Sequence, residues 1–285
     1  MKTIKTAFLL TALTLLLLFI GQALGGRSGM TIALIFAIIM NGSAYFFSDK
    51  IALMSSGAQP ISREQEPRLY AVMERLAAKA NLPVPKLYMI PQPAPNAFAT
   101  GRNPRHASVA VTQGLMQLMN DDELEGVIAH ELSHVRNYDI LTSSIAATLA
   151  GAITWVASMG KWAMIFGGWG GGGRDDRDGG GLAALIMIFV APLAALLLQL
   201  GISRQREYQA DASGARMVGH PYGLISALEK LEAYNNRIPM NVPQTTAALM
   251  IVAPLSPRQL FRGLFATHPP LPERIAVLRN MTFTR

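Results

Sequence analysis

Residues 120–139 read NDDELEGVIAHELSHVRNYD, and this stretch decides what the chain is. Asn120 is a helix-capping residue type, and Asp121, Asp122 and Glu123 after it suit the positive end of a helix dipole. Leu124, Val127, Ile128, Leu132 and Val135 then recur at helical spacing and form one apolar side. On the helix so predicted, His130-Glu131-Leu132-Ser133-His134 is an H-E-x-x-H motif. Four residues advance a helix by about 400°, which stacks both imidazoles one turn apart on nearly the same line. Two nitrogens placed that way can meet one metal ion at about 2.0–2.1 Å. Glu131 lies about 60° around the helix from His134, within reach of a metal-bound water without ligating the metal. The plain alternative is a pair of helix-surface histidines that bind nothing.

Immediately after Asp139 the charge disappears. Residues 140–160 carry none, residues 182–203 carry none, and residues 6–48 carry only Arg27. The whole chain is 51% hydrophobic and 15% charged, against about 25% charged in an ordinary soluble domain. Such segregation excludes a simple soluble enzyme and a disordered chain, and it predicts an integral membrane protein. Four apolar stretches are candidate spans: about 6–24, 31–47, 140–160 and 182–202. Roughly 20 apolar residues cover about 30 Å of hydrocarbon, whereas a buried core helix needs only about 10–14. The MKTIK start before a leucine-rich run also suits a cleaved signal peptide. Its apolar run exceeds the usual 7–15 residues of a signal core, and a second run follows closely, so an uncleaved anchor is the better reading.

The four spans leave two polar blocks, residues 49–139 and 203–285, on one side. With the N-terminus inside, eight Lys and Arg (2, 5, 50, 63, 136, 204, 206 and 216) face the cytoplasm and four (27, 161, 174 and 177) face out. The outer connection 167–181 has nine glycines in fifteen residues and reads as a linker. The net charge of +7 comes without a dense basic run interleaved with aromatics, so anionic lipid, not nucleic acid, is the expected partner. No cysteine is present, which excludes disulfides, iron–sulfur clusters and thiolate metal sites. Within the first polar block, residues 62–67 open a helix carrying Leu69, Val72, Met73 and Leu76. Residues 86–90 and 107–111 read as strands.

A hydrolytic site of the H-E-x-x-H type needs a third protein ligand and an open position. No further His follows at short spacing, so a carboxylate on a later helix is expected. Glu207, in SRQREYQAD (203–211), stands just past the fourth span on the same side as His130. Asp211 shares its helix face four residues on, where it can accept the N–H of a liganding histidine and set its tautomer. An exposed charged face paired with Arg204 and Arg206 is the alternative.

HELSHVRNYD, SRQREYQAD and the later THPPLPERI stand in the order and context of the HtpX-type membrane zinc metalloproteases, and the chain resembles that family over most of its length. The resemblance implies an α-helical membrane protein with about four transmembrane helices and an α+β zincin-like cytoplasmic protease domain. It implies a bacterial inner-membrane endopeptidase acting in quality control of membrane proteins. It makes His130, His134 and Glu207 ligands of one Zn²⁺ per chain and Glu131 the catalytic residue.

His268 and Arg274, in the 267–274 segment, are candidate donors to the oxyanion, with a structural turn and a surface Arg as the alternative. His106 and His220 read as packing or surface residues. Asn96 and Ala97 resemble the edge strand on which related zinc peptidases hold extended substrate, though a loop and strand explain them equally plainly. Two other functions remain open: a CAAX-type prenyl protease, whose branch carries more spans, and a membrane scaffold with structural zinc, which would leave Glu131 idle.

Overall fold

The computed structural model describes residues 2–151, 203–235, 240, 242–252 and 268–283. The first element, α1 (Lys2–Ser55), is two helical arms joined at Gly25 (φ −142°, ψ 18°) and Gly26 (φ 56°, ψ −141°). Gly26 takes a left-handed conformation that costs residues with a Cβ, which is why the reversal falls there. The arms run back along each other, and the Asn41 amide donates to Thr14 Oγ1 at 2.8 Å across the hairpin. That bond explains how a polar residue sits in the second apolar stretch.

Among the described residues one helix, Gly25–Ser55, is long and apolar enough to cross a membrane, and Thr6–Phe19 is a shorter apolar helix. Only 11% of the most apolar window of Gly25–Ser55 is buried, whereas the core helix of a soluble protein would be mostly covered. Phe36, Ile38, Ile39, Phe46 and Phe47 all face outward. Helix α5 (residues 139–151) covers the start of the third apolar stretch. Its Leu141, Ile145, Ala146 and Leu149 pack against Leu13 and Ala44 of the two arms. The remainder of that stretch, the 182–202 stretch and the 167–181 linker lie outside the described residues.

The polar blocks form a small mixed sheet covered by helices. The strands are β1 (Gln59–Pro60), β2 (Lys86–Ile90), β3 (Ala97–Gly101) and β4 (Ala107–Thr112), in the order β1-β2-β4-β3. β2 and β4 are parallel, while β3 runs antiparallel to β4 and forms an edge. Helix α2 (Pro67–Lys79) begins at the proline, the last residue of the 62–67 segment expected to open it. Proline has no N–H to satisfy and its fixed φ suits the first helical position, so the helix starts there. Ser62 and Gln65 instead close a turn, the Ser62 N–H donating to Gln65 Oε1 at 2.8 Å.

After α3 (Gln113–Leu118) comes α4 (Asp121–Arg136), held at its start by a reciprocal capping box. The Glu123 N–H donates to Asn120 Oδ1 at 2.9 Å, and the Asn120 N–H donates to Glu123 Oε2 at 2.8 Å. Leu124, Val127, Ile128, Leu132 and Val135 are wholly buried between the sheet and the later helices α6 (Arg204–Val218) and α7 (Tyr222–Asn235). A short α8 (Gln244–Ala247) and a final α9 (Leu271–Arg279) close the described chain. The motif helix is therefore the centre of the core, not a surface helix.

Candidate metal centre and active site

Two helices from opposite sides of the apolar stretches meet at the site. Glu207, Asp211 and Gly214 fall at i, i+4 and i+7 on α6 and form the stripe that faces α4. Gly214 sets the approach, because a Cβ there would lie 2.9 Å from the His130 backbone nitrogen and 3.1 Å from the Ala129 carbonyl carbon. Only a hydrogen at this position lets α6 lie close enough for Glu207 to reach the histidines.

His130, His134 and Glu207 each offer one ligand atom, and these atoms lie within 4.8 Å of one another. The two Nε2 atoms are 3.2 Å apart. Glu207 stands 3.7 Å from His130 Nε2 through Oε2 and 3.6 Å from His134 Nε2 through Oε1. Tetrahedral bonds of about 2.0–2.1 Å would place two ligand nitrogens about 3.3 Å apart, so the imidazole pair is already at metal-binding separation. The buried Glu207 Oε2 has no aligned hydrogen-bond donor among the described residues, although His268 Nδ1 lies 3.2 Å away. Two nitrogens and one carboxylate oxygen, with a carboxylate lone pair turned inward, fit a divalent cation.

The surrounding groups orient these ligands. Asp211 Oδ1 lies 2.8 Å from His130 Nδ1, so it can accept the proton there and leave Nε2 as the lone-pair atom. His134 has a similar partner in Asp139, whose Oδ2 lies 3.5 Å from its Nδ1. Asp139 faces Arg206 in turn, at 3.8 Å. Nothing in the sequence reading gave Asp139 a part. It looked only like the last charge before an apolar stretch, and Tyr138, with a left-handed φ of 59°, bends the chain to bring it back.

Glu131 lines a space of about 20 Å³ together with Ala99, His134, Asp139, Glu207 and His268. That volume admits roughly one water molecule. Burial pushes its carboxyl up to about 7 and the Glu207 charge adds to this, while His134 and the Ala99 backbone N–H, which bonds the carboxylate, pull the other way. Burial lowers the His130 imidazole more than Asp211 raises it. For His134 the order reverses: burial opposes, yet Glu207 and Asp139 lift it to about 9. Glu207 itself stays well below the usual carboxylate range because His268, His134 and Arg274 outweigh its burial.

The remaining expected residues are placed unevenly. His268 is on the wall of this space, and its Nε2 meets the Ala248 carbonyl at 3.2 Å. Arg274 is not a surface residue and does not line the space: it is wholly buried. Its guanidinium clamps Asp211 with bonds of 2.6 and 2.8 Å and donates to the Ile251 carbonyl at 2.9 Å. Expected as a donor to substrate, it is spent on the carboxylate that orients His130. Asn96 and Ala97 do sit at the sheet edge, but that part of the edge is taken. The Ile251 N–H donates to the Ala97 carbonyl at 2.9 Å, and the Asn96 amide donates to the Val252 carbonyl at 2.8 Å. Two residues further along, where strand alternation turns the backbone outward again, Ala99 reaches the space beside Glu131. His106 is exposed and pairs with Asn103. His220 stacks on Tyr222.

Comparison with known proteins places the chain among peptidases. The model of "Peptidase family M48" matches residues 63–282, which include every residue of the cluster. A "Protease HtpX homolog" of Desulfatibacillum aliphaticivorans is 56% identical over 275 residues, covering 96% of this chain and 88% of that one. One of Syntrophotalea carbinolica is 51% identical over 283 residues and covers 99% of both. The crystal structure of S. mikatae Ste24p superposes with a TM-score of 0.51 at 20% identity, over 97% of this chain and 65% of that one, which speaks for the fold alone. With a family model matched along most of its length and relatives identical at half their positions, the chain belongs to peptidase family M48.

Proposed function

We propose that the protein is a zinc-dependent membrane endopeptidase in which Glu131 is the proton carrier. The observation that carries this reading is the convergence of His130, His134 and Glu207 with a buried Glu131 on one water-sized space. The neutral nitrogens and single carboxylate suit zinc, which when bound would acidify a water and polarise a peptide carbonyl. Glu131 would accept a proton from a water in the space it lines, and its raised affinity for a proton near pH 7 suits it to return that proton to the leaving amine. Asp211 and Asp139 hold the imidazoles in the ligating tautomer. His268, on the wall beside Glu207, is the side chain placed to meet developing charge on the substrate.

Substrate enters as an extended strand. The Ala99 carbonyl, on the outward edge of β3, stands beside the site while its N–H serves Glu131, and main-chain pairing along this edge selects for unfolded peptide with little side-chain preference. The zinc helix ends at Arg136, and α5 leads into an apolar stretch from Asp139. The site therefore lies about 5–15 Å, or one to two helix turns, from the bilayer interface. A segment next to a substrate's own membrane span reaches it, so we assign cleavage to loops and tails of misfolded membrane proteins as a quality-control activity. Since one site is built from residues 130–139 and 203–211, both blocks belong on one side of the membrane. The Lys and Arg distribution favours the cytoplasmic face of a bacterial inner membrane for a multi-pass chain.

The test is hydrolysis of one unstructured sequence by detergent-purified, reconstituted protein, free in solution or fused to a transmembrane helix in the same liposomes. Cleavage stopped by a chelator, restored by Zn²⁺ and faster for the tethered form at matched local concentration supports the proposal. Equal cleavage of both forms removes the membrane-proximity argument, and chelator-insensitive cleavage removes the metal. A prenylated peptide cut in preference to its unmodified twin would favour a CAAX-type activity instead.

A further inference from the structure

A second cavity, away from the metal centre, lies where the long apolar helix meets the sheet. It holds about 400 Å³ and is bordered by Phe46, Phe47 and Lys50 of α1, Lys86 of β2, and Arg102 and Arg105 of the β3–β4 connection. The parallel register of Lys86 with Ser108 brings the start of β2 beside that connection. Four cations thus share one hollow with a single acid, Asp49, and among the described residues none of the four is paired with a carboxylate. Lys50 Nζ sits 5.6 Å from the Phe47 ring centre and the Arg102 guanidinium 5.9 Å from that of Phe46. Tyr88 and Ser108 add hydroxyls to the wall.

The level of this hollow follows from helix length. Between Arg27 and Asp49 the helix runs through residues 28–48 without a charge. Those residues span about 32 Å at 1.5 Å each, close to the hydrocarbon thickness of about 30 Å. Phe46 and Phe47, exposed and apolar, then fall at the edge of the hydrocarbon, and the cations fall in the layer of lipid phosphates. Cations without a carboxylate partner among the described residues, set over an apolar shelf, match a molecule with a phosphate above acyl chains. Soluble phosphate would gain nothing from the exposed aromatic rings.

We propose that this hollow binds the headgroup of an anionic phospholipid from the surrounding leaflet, with Lys86 and Arg105 as its outermost phosphate contacts. The proposal rests on the reading that Gly25–Ser55 spans the membrane. The experiment is native mass spectrometry of the full chain in detergent, titrated separately with phosphatidylglycerol, phosphatidylcholine and glycerol phosphate, and repeated on the K86Q/R105Q variant. The wild type should retain phosphatidylglycerol in preference to phosphatidylcholine. With about 1 kcal/mol per basic residue near lipid, the double variant should bind phosphatidylglycerol at least tenfold more weakly, on the order of the loss expected for two cations. Its peptidase activity in detergent should match the wild type, which certifies the fold.

Equal retention of the neutral lipid, or unchanged phosphatidylglycerol binding by the variant, overturns the proposal. Glycerol phosphate competing as well as the lipid shows a soluble-anion site and also overturns it. Alkaline carbonate extraction of native membranes separates the two levels: release of the chain defeats the membrane reading, and retention without cation-dependent lipid binding defeats the lipid site alone.

Discussion

Asp211 Oδ1 lies 2.8 Å from His130 Nδ1, and the same carboxylate takes two hydrogen bonds from Arg274. The orientation of the first imidazole thus depends on a carboxylate that is itself held by a buried cation. Arg274 holds Asp211 ionised down to about 2 against the effect of burial. Asp211→Asn keeps the shape and removes the charge. It should weaken metal affinity by about 10–100-fold in chelator competition, the usual cost of losing such a partner. Unchanged affinity would mean that His130 is oriented by something else.

Arg274→Ala should be harmful through stability before chemistry. It leaves Asp211 buried without a counter-charge, a loss of about 3–5 kcal/mol. Lysine cannot make the two-pronged contact and should rescue little. The measurement is thermal unfolding in detergent for both variants, and a lysine variant as stable as wild type would refute the clamp.

Gly214→Ala separates propensity from packing. In an exposed helix this exchange would stabilise by about 1 kcal/mol. Here the new methyl meets α4 backbone at 2.9 Å, so the two helices must part. We expect destabilisation of about 1–3 kcal/mol together with weaker metal binding. A stabilised variant with normal metal affinity would show that close approach at Gly214 is unnecessary.

Proton and metal should compete at His134. Glu207 and Asp139, against burial, raise this imidazole to about 9, so without metal it is protonated at neutral pH. A raised value means that the proton must leave before the nitrogen can ligate. Metal affinity should therefore rise with pH, by about tenfold per unit between pH 6 and 8 for one released proton. An affinity flat over that range would exclude a protonated His134 in the metal-free site.

Much of this site was legible because its signals are local. Asn120 as a capping residue type, the acids after it, the apolar spacing behind them and the 130–134 motif all belong to one helix and its cap. Glu207 and Asp211 were legible as a pair because four residues make a helical turn. What escaped depends on contacts between distant segments. Asn96 pairs with Val252 across 156 positions, which closes the part of the edge that Asn96-Ala97 was expected to offer and leaves Ala99 facing the site. Burial of Arg274 and the return of Asp139 toward His134 are likewise products of packing. The two apolar arms of α1 and a short turn between them were legible from composition, and the turn falls at Gly25 and Gly26.

In the proposed mechanism Glu131 moves protons while the cluster beside it holds the metal. Purifying Glu131→Gln beside wild type, and measuring bound metal and peptide hydrolysis on the same samples, separates the two roles. Both proteins should carry about one metal ion per chain, since one set of three protein ligands serves one ion, with hydrolysis lost only in the variant. A metal-free Glu131→Gln protein, or one that still cuts at the wild-type rate, would contradict it.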